Sequence, residues 1–170
     1  VDDTVFADGN GLASDALLTY AAYTDDERAT RYARRAREHV VETLVADGRV
    51  AHYDDPDAPS GLLTDQARVL AGLTTAWQVL GEAGPARAVA DWTIEHLGHD
   101  SGAFRDGPTG GAGLLDRPLY PLDTTVELAD ALVDLALLSG EDRYRERART
   151  AVGALADAAE RMGVEVAGYA

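Results

Sequence analysis

The chain has 170 residues, 46% of them hydrophobic and 6% aromatic, and carries 30 acidic against 15 basic groups for a net charge of −15. That is one domain's length with enough apolar surface for a core, and no run long enough to span a membrane. All basic residues are Arg and there is no Cys, which excludes disulfides, thiolate metal sites and cysteine nucleophiles within this segment. The acidic balance excludes nucleic acid as a partner, because binding a phosphate backbone needs a basic stripe. Arg28, Arg31, Arg34, Arg35 and Arg37 are interleaved with Glu27, Glu38 and Glu42, as on a solvated helix face.

In chain order, the pattern is helical throughout. A first helix is expected from Gly11 to Tyr23, with Asn10 as N-cap and Leu12, Ala16 and Tyr20 as its inward stripe. A capping box, Thr24 to Glu27, opens a second, with Ala29, Tyr32, Ala33, Ala36, Val40 and Leu44 inward and Gly48 at its end. An extended piece, Arg49 to Tyr53, leads into a Pro/Asp/Gly loop. A third helix covers Leu62 to Leu80. Pro85 suits the first position of a fourth, which stops at Gly98. A Gly-rich loop from Asp100 to Pro121 includes a candidate strand at Gly113-Leu114-Leu115. A fifth helix starts near Asp123 with a capping box from Thr124 to Glu127. A sixth carries Tyr144, Ala148, Val152, Leu155, Ala159 and Met162 and ends at Gly163.

These are three helical hairpins, about 10–48, 61–98 and 122–163, in a single all-α domain with short β pieces in the loops. Arg31-Tyr32 followed by Ala36-Arg37 returns as Arg143-Tyr144 followed by Ala148-Arg149, two units on. Such units stack to bury faces that none buries alone.

The arrangement resembles the (α/α) toroid. Asp8-Gly9-Asn10-Gly11-Leu12-Ala13, Gly61 to Ala67, and Tyr120-Pro121-Leu122-Asp123-Thr124-Thr125 resemble, in order and spacing, helix starts of one family. It comprises thioredoxin-domain proteins with a C-terminal toroid, similar to N-acylglucosamine 2-epimerases and six-hairpin glycosidases. The family's Trp is Gly9 here and its Tyr after the Asp is Gln66. The resemblance implies half of an (α/α)6 barrel, cut from a longer chain, with the tail 164–170 opening a further helix.

In such a ring the first helix of each hairpin lines the lumen, so polar groups at the helix starts converge on one rim. The catalytic candidates are Asp65, Asp123 and Glu127, where paired carboxylates would serve a sugar as acid and base. The ligand-binding candidates are Asp8, Asn10, Gln66 and His52. Against this stands a plainer reading: acids in a helix's first turn cap free N–H groups and suit the dipole. His39 is expected at a core edge, and His96 and His99 at a helix end. His96, His99 and Asp100 have metal-like spacing, but Gly98 makes a poor rigid chelate, and no metal is expected. No cofactor is expected either, since the Gly107 to Gly113 loop lacks the Lys-Ser/Thr of a phosphate loop. Expected partners are a small carbohydrate and, across the open edges, the rest of a parent chain or a second copy. The alternative function is a non-catalytic helical interaction module. The Lys-free acidic surface points to a salt-rich, haloarchaeon-like cytoplasm, where such a surface stays hydrated and its self-repulsion is screened.

Overall fold

A computed structural model describes residues 4–109 and 117–162. The candidate strand at Gly113, the end at Gly163, the tail and the Ala159 and Met162 side chains lie outside the described residues. Six helices follow in order: α1 (Ala7–Thr24), α2 (Glu27–Thr43), α3 (Leu63–Leu80), α4 (Ala86–Leu97), α5 (Leu122–Ser139) and α6 (Asp142–Met162). Between α2 and α3 two short strands, β1 (Val45–Ala46) and β2 (Arg49–Val50), pair antiparallel. Asp47 and Gly48 turn them, both at positive φ, as a two-residue hairpin requires. Gly48 therefore belongs to this turn and does not close α2, which stops at Thr43.

The helices form a two-layer arc. In one layer α1 packs on α3 and α3 on α5; in the other α2 backs α1, α4 backs α3 and α6 backs α5. The core lies between the layers and includes Leu70, Leu73, Val89, Leu97, Leu128, Leu132 and Tyr144, all fully buried. Glycines set the α1–α3 crossing. A Cβ on Gly11 would stand 2.6 Å from the Arg68 carbonyl oxygen, and one on Gly72 2.8 Å from that of Gly11. The backbones can approach this closely only without side chains.

Several local expectations change. α1 begins at Ala7, with Phe6 as extended N-cap, while the Asn10 side chain donates to the Phe6 carbonyl from inside the helix. The buried side of α1 is Ala7, Gly11, Ser14, Leu18 and Ala21. Leu12 and Tyr20 are each 52% exposed, on the opposite side. On α2 the cap is Asp26, which accepts from the Arg28 and Ala29 N–H groups; Asp25 instead ends α1 in the left-handed region. Tyr32 and Val152 face solvent. Pro85 caps α4 and is not its first residue.

The inter-hairpin loops gather where α1, α3 and α5 begin. The Ala7 N–H donates to the His52 carbonyl at 2.9 Å, and Phe6 bridges Tyr53. The Leu63 N–H donates to Asp106, whose own N–H donates to Leu119. No described helix is long and apolar enough to cross a membrane.

Candidate functional site

This gathering of helix starts builds one polar cluster. Asp8 and Asp65 occupy the first turns of α1 and α3, and His52 comes from the loop between them. Asp65 is wholly buried, an unusual place for a carboxylate. The His52 Nδ1 lies 3.1 and 3.0 Å from its two oxygens. Burial pushes the Asp65 carboxyl above its usual range, and the Asp8 charge adds to this; the His52 hydrogen bond and charge oppose it, as does the Asp8 backbone N–H. With Asp65 accepting at Nδ1, the imidazole presents Nε2 as its free atom. The His52 side chain is 31% exposed and that of Asp65 not at all, so of the pair only His52 reaches solvent.

Arg68, one turn beyond Asp65, ties the inner helices together. Its Nη1 donates to Asp8 at 3.1 Å and its Nε to Glu127 of α5 at 3.0 Å. One heptad along the same helices is a second tier. There the Thr75 hydroxyl donates to Asp15 at 2.6 Å, and burial, then Asp130 and Asp15, push the Asp134 carboxyl up. Seven residues are nearly two turns, so both tiers share one side of the arc.

Aromatic rings flank His52. Phe6 and Tyr53 stand 5.3 and 5.6 Å from its ring centroid, each edge-on, and 5.7 Å from one another. Phe6 is 39% exposed. Half-exposed rings beside hydrogen-bonding groups suit a ligand with apolar C–H faces and a hydroxyl rim.

Of the residues singled out in the sequence, Asp8, His52, Asp65 and Glu127 come together. Three do not. Gln66 is a structural anchor: buried, it accepts from the Val50 N–H at 2.6 Å and donates to the Thr93 hydroxyl at 2.7 Å and the Gly48 carbonyl at 3.0 Å. Its hydrogen-bonding capacity is spent on tying the β-hairpin and α4 to α3. Asn10 is occupied by its own helix start, and its neighbours across a shallow groove are Tyr32 and His39. Asp123 is exposed and accepts from the Thr124 N–H at 2.8 Å. Glu127 does not close a capping box, because α5 starts at Leu122 with Pro121 as its N-cap and Thr124 lies inside the helix; Arg68 donates to both Glu127 oxygens instead.

Arg68, Phe6 and Tyr53 had no role in the sequence reading. A signal for Arg68 was present: it and Asp65 are the only charged residues in the 18 of α3. His39 is solvent-exposed rather than at a core edge. His96 stacks on Trp92 at 4.4 Å and His99 bonds Ser101, so they form no chelate. One donor of each of Asp8, His52 and Asp65 lies within 4.8 Å of the others, a spacing a cation could bridge. Arg68 already supplies positive charge to Asp8 there. A separate concavity of about 980 Å³ opens beside Tyr23, Arg31 and Gln78 at the far ends of α1 and α3, and lacks His.

No protein-family model matches the chain, and no curated protein matches it. Solved structures do. It is similar to an inactive variant of a family 76 α-1,6-mannanase of Salegentibacter sp. HEL1_6 in complex with α-1,6-mannotriose (TM-score 0.75, 15% identity, 89% of this chain and 47% of that one). It is also similar to the cellobiose 2-epimerase of Bacillus thermoamylovorans B4167 (0.74, 12%, 91% and 45%). A D-mannose isomerase matches with TM-score 0.69 at 13% identity over 86% of this chain and 40% of that one. The fold is therefore a partial (α/α) toroid of the six-hairpin glycosidase-like kind, and the chain spans less than half the length of these structures.

Proposed function

We propose that this arc forms a carbohydrate-binding rim, with His52 as the acid–base group that processes the sugar. The observation that carries this is the His52–Asp65 pair: a partly exposed imidazole fixed through Nδ1 by a buried carboxylate. Asp65 acts as a positioning residue. It holds the ring in one tautomer and supports positive charge on it when Nε2 takes a proton.

The arrangement favours proton transfer over glycoside hydrolysis. Hydrolysis uses two carboxylates that reach the scissile bond. Asp65 is out of reach, and Asp8 and Glu127 are both engaged by Arg68. A single base suffices to move a proton between the carbonyl-adjacent carbon of an open-chain sugar and its neighbour. Nε2 takes the proton from one carbon while the carbonyl oxygen takes one from water, giving an enediol; the neighbouring hydroxyl then releases its proton to water as Nε2, whose captured proton exchanges with solvent, delivers one to the next carbon. Phe6 and Tyr53 offer ring surface to the sugar's C–H face, and Arg68, Asp8 and Glu127 offer partners for its hydroxyls. The similarity to an isomerase and an epimerase of the same fold supports this direction.

The wider setting belongs to the same proposal. The three helix-start motifs support a thioredoxin-domain parent, and the Lys-free acidic surface supports a halophilic, cytoplasmic source. The exposed apolar ends of the arc favour a second reading, a helical module that packs on a partner without catalysis.

The test is exchange at carbon 2 of D-mannose in deuterated water with molar KCl, followed by NMR. Deuterium uptake should fall at least about 100-fold in His52→Ala, a usual loss for a removed general base. Uptake equal in both proteins would reject His52 as the base.

A further inference from the structure

We propose that Asp8, His52 and Asp65 hold one divalent transition-metal ion, zinc by donor type, and that loading it switches off the acid–base group. The site rests on geometry and charge alone. The switch rests on the reading of His52 as the base.

The donors come from three separate stretches of chain. Asp8 lies in the first turn of α1, Asp65 in that of α3, and His52 in the loop before α3. One donor atom of each lies within 4.8 Å of the other two. Around a tetrahedral zinc with bonds of about 2.1 Å, donors stand about 3.4 Å apart. The His52 Nδ1 and the nearer Asp65 oxygen, at 3.0 Å, need part only slightly, and Asp8 closes the remaining gap by a turn of its partly exposed side chain. Arg68 binds Asp8 through Oδ2, and a carboxylate has a second oxygen to give.

Charge points the same way. A wholly buried carboxylate is normally paired with a cation or bound to a metal. With His52 neutral, Asp65 has no charged partner among the described residues: its carboxylate accepts from the His52 ring and the Asp8 backbone N–H. Arg68 spends its charge on Asp8 and Glu127. Three carboxylates thus share one guanidinium, and the excess of two negative charges is what a single dication balances. An imidazole in the donor set selects zinc, cobalt or nickel over magnesium and calcium, which prefer oxygen alone. With three protein ligands, the ion keeps an open fourth position for water.

The switch follows from the tautomer. In the metal-free pair, Nδ1 carries the proton shared with Asp65, and Nε2 has the free lone pair. A metal on Nδ1 occupies that nitrogen's lone pair, so the neutral ring carries its one proton on Nε2. Nε2 then has no lone pair for a proton from a sugar carbon.

Isothermal calorimetry tests the site in molar KCl with about 10 mM magnesium, which fills the loose oxygen-only sites of so acidic a surface. Zinc should bind at about one ion per chain, with a dissociation constant of about 10 µM or below. His52→Ala and Asp8→Asn should each weaken binding at least about tenfold. In the unmutated protein, isotope-edited NMR should show the largest zinc-induced shift at the His52 ring nitrogens, which a folding defect in a variant cannot mimic. Deuterium uptake at carbon 2 of D-mannose should fall in proportion to zinc loading and return with a chelator. No binding up to about 1 mM zinc, or binding indifferent to His52→Ala, would overturn the site. Uptake unchanged at full loading would overturn the switch alone. Zinc bound at His52 in a protein that shows no uptake without metal would uphold the site and reject both His52 as the base and the switch built on it.

Discussion

His52 and Asp65 form a pair in which one partner is wholly buried and the other reaches solvent, with Nδ1 3.0 and 3.1 Å from the two carboxylate oxygens. The pair joins the loop after the first hairpin to the start of α3. It makes the rim both a structural joint and a candidate acid–base centre.

The buried carboxyl leaves a mark on stability. Burial raises the Asp65 pKa above its ordinary 3.8, so the folded state holds that proton more tightly than the unfolded chain. Stability from this group is then fully present below pH 3.8 and is lost as pH rises through the raised folded value. Asp65→Asn keeps an oxygen for the His52 Nδ1–H and cannot ionise. Urea unfolding of both proteins from pH 3.5 upward should show the variant gaining on the parent as pH rises. A difference independent of pH would mean that burial does not perturb Asp65.

Gln66 should matter more to the fold than any rim residue. Replacing it with Leu leaves the buried Val50 N–H and Gly48 carbonyl without these partners. Stranding buried polar groups costs about 1–3 kcal/mol each. Urea unfolding should show a loss of about 2–4 kcal/mol. A loss below about 0.5 kcal/mol would show that the anchor is dispensable.

The α1–α3 crossing gives a matched pair of substitutions. Gly72→Ala places a methyl 2.8 Å from the Gly11 carbonyl oxygen. Overpacking of this kind costs about 1–3 kcal/mol and outweighs the helix-propensity gain of about 1 kcal/mol. Gly153→Ala on α6 meets nothing within 4 Å and should stabilise by about 0.5–1 kcal/mol. Thermal melts of the two should move in opposite directions. Melts moving the same way would contradict the close approach.

Much of the fold was legible because helices announce their period, and Gly and Pro their ends. Rotation about the helix axis was not. Leu12, Ala16 and Tyr20 make as good an apolar stripe as Gly11, Ser14 and Leu18. Only packing shows that the glycine side faces the partner helix, because small residues permit the closer approach. Asp65 and Gln66 are adjacent at one helix start, yet 100° apart around it. One turns to His52 on the rim, the other to Thr93 in the outer layer, whereas the sequence placed both on the rim. The His52–Asp65 pair was out of reach for another reason: it depends on the β-hairpin folding the loop back onto α1, and Asp47-Gly48 was not read as its turn.

Net charge makes salt a strong variable. At −15 the surface repels itself at low ionic strength, and the nine Arg–carboxylate ion pairs between described residues do not offset that excess. The circular dichroism melting temperature should rise steadily from dilute buffer to molar KCl. A melt unchanged over that range would remove the halophilic reading.

The most direct test of the carbohydrate rim is an isotope-edited NMR titration with D-mannose in molar KCl. Shifts concentrated at Asp8, His52, Tyr53, Arg68 and Glu127, and abolished by His52→Ala in a variant that still folds, are the predicted result. Saturating shifts confined to the far end near Tyr23 and Gln78, or none up to about 50 mM sugar, well above the usual range of enzyme–substrate affinities, would contradict it.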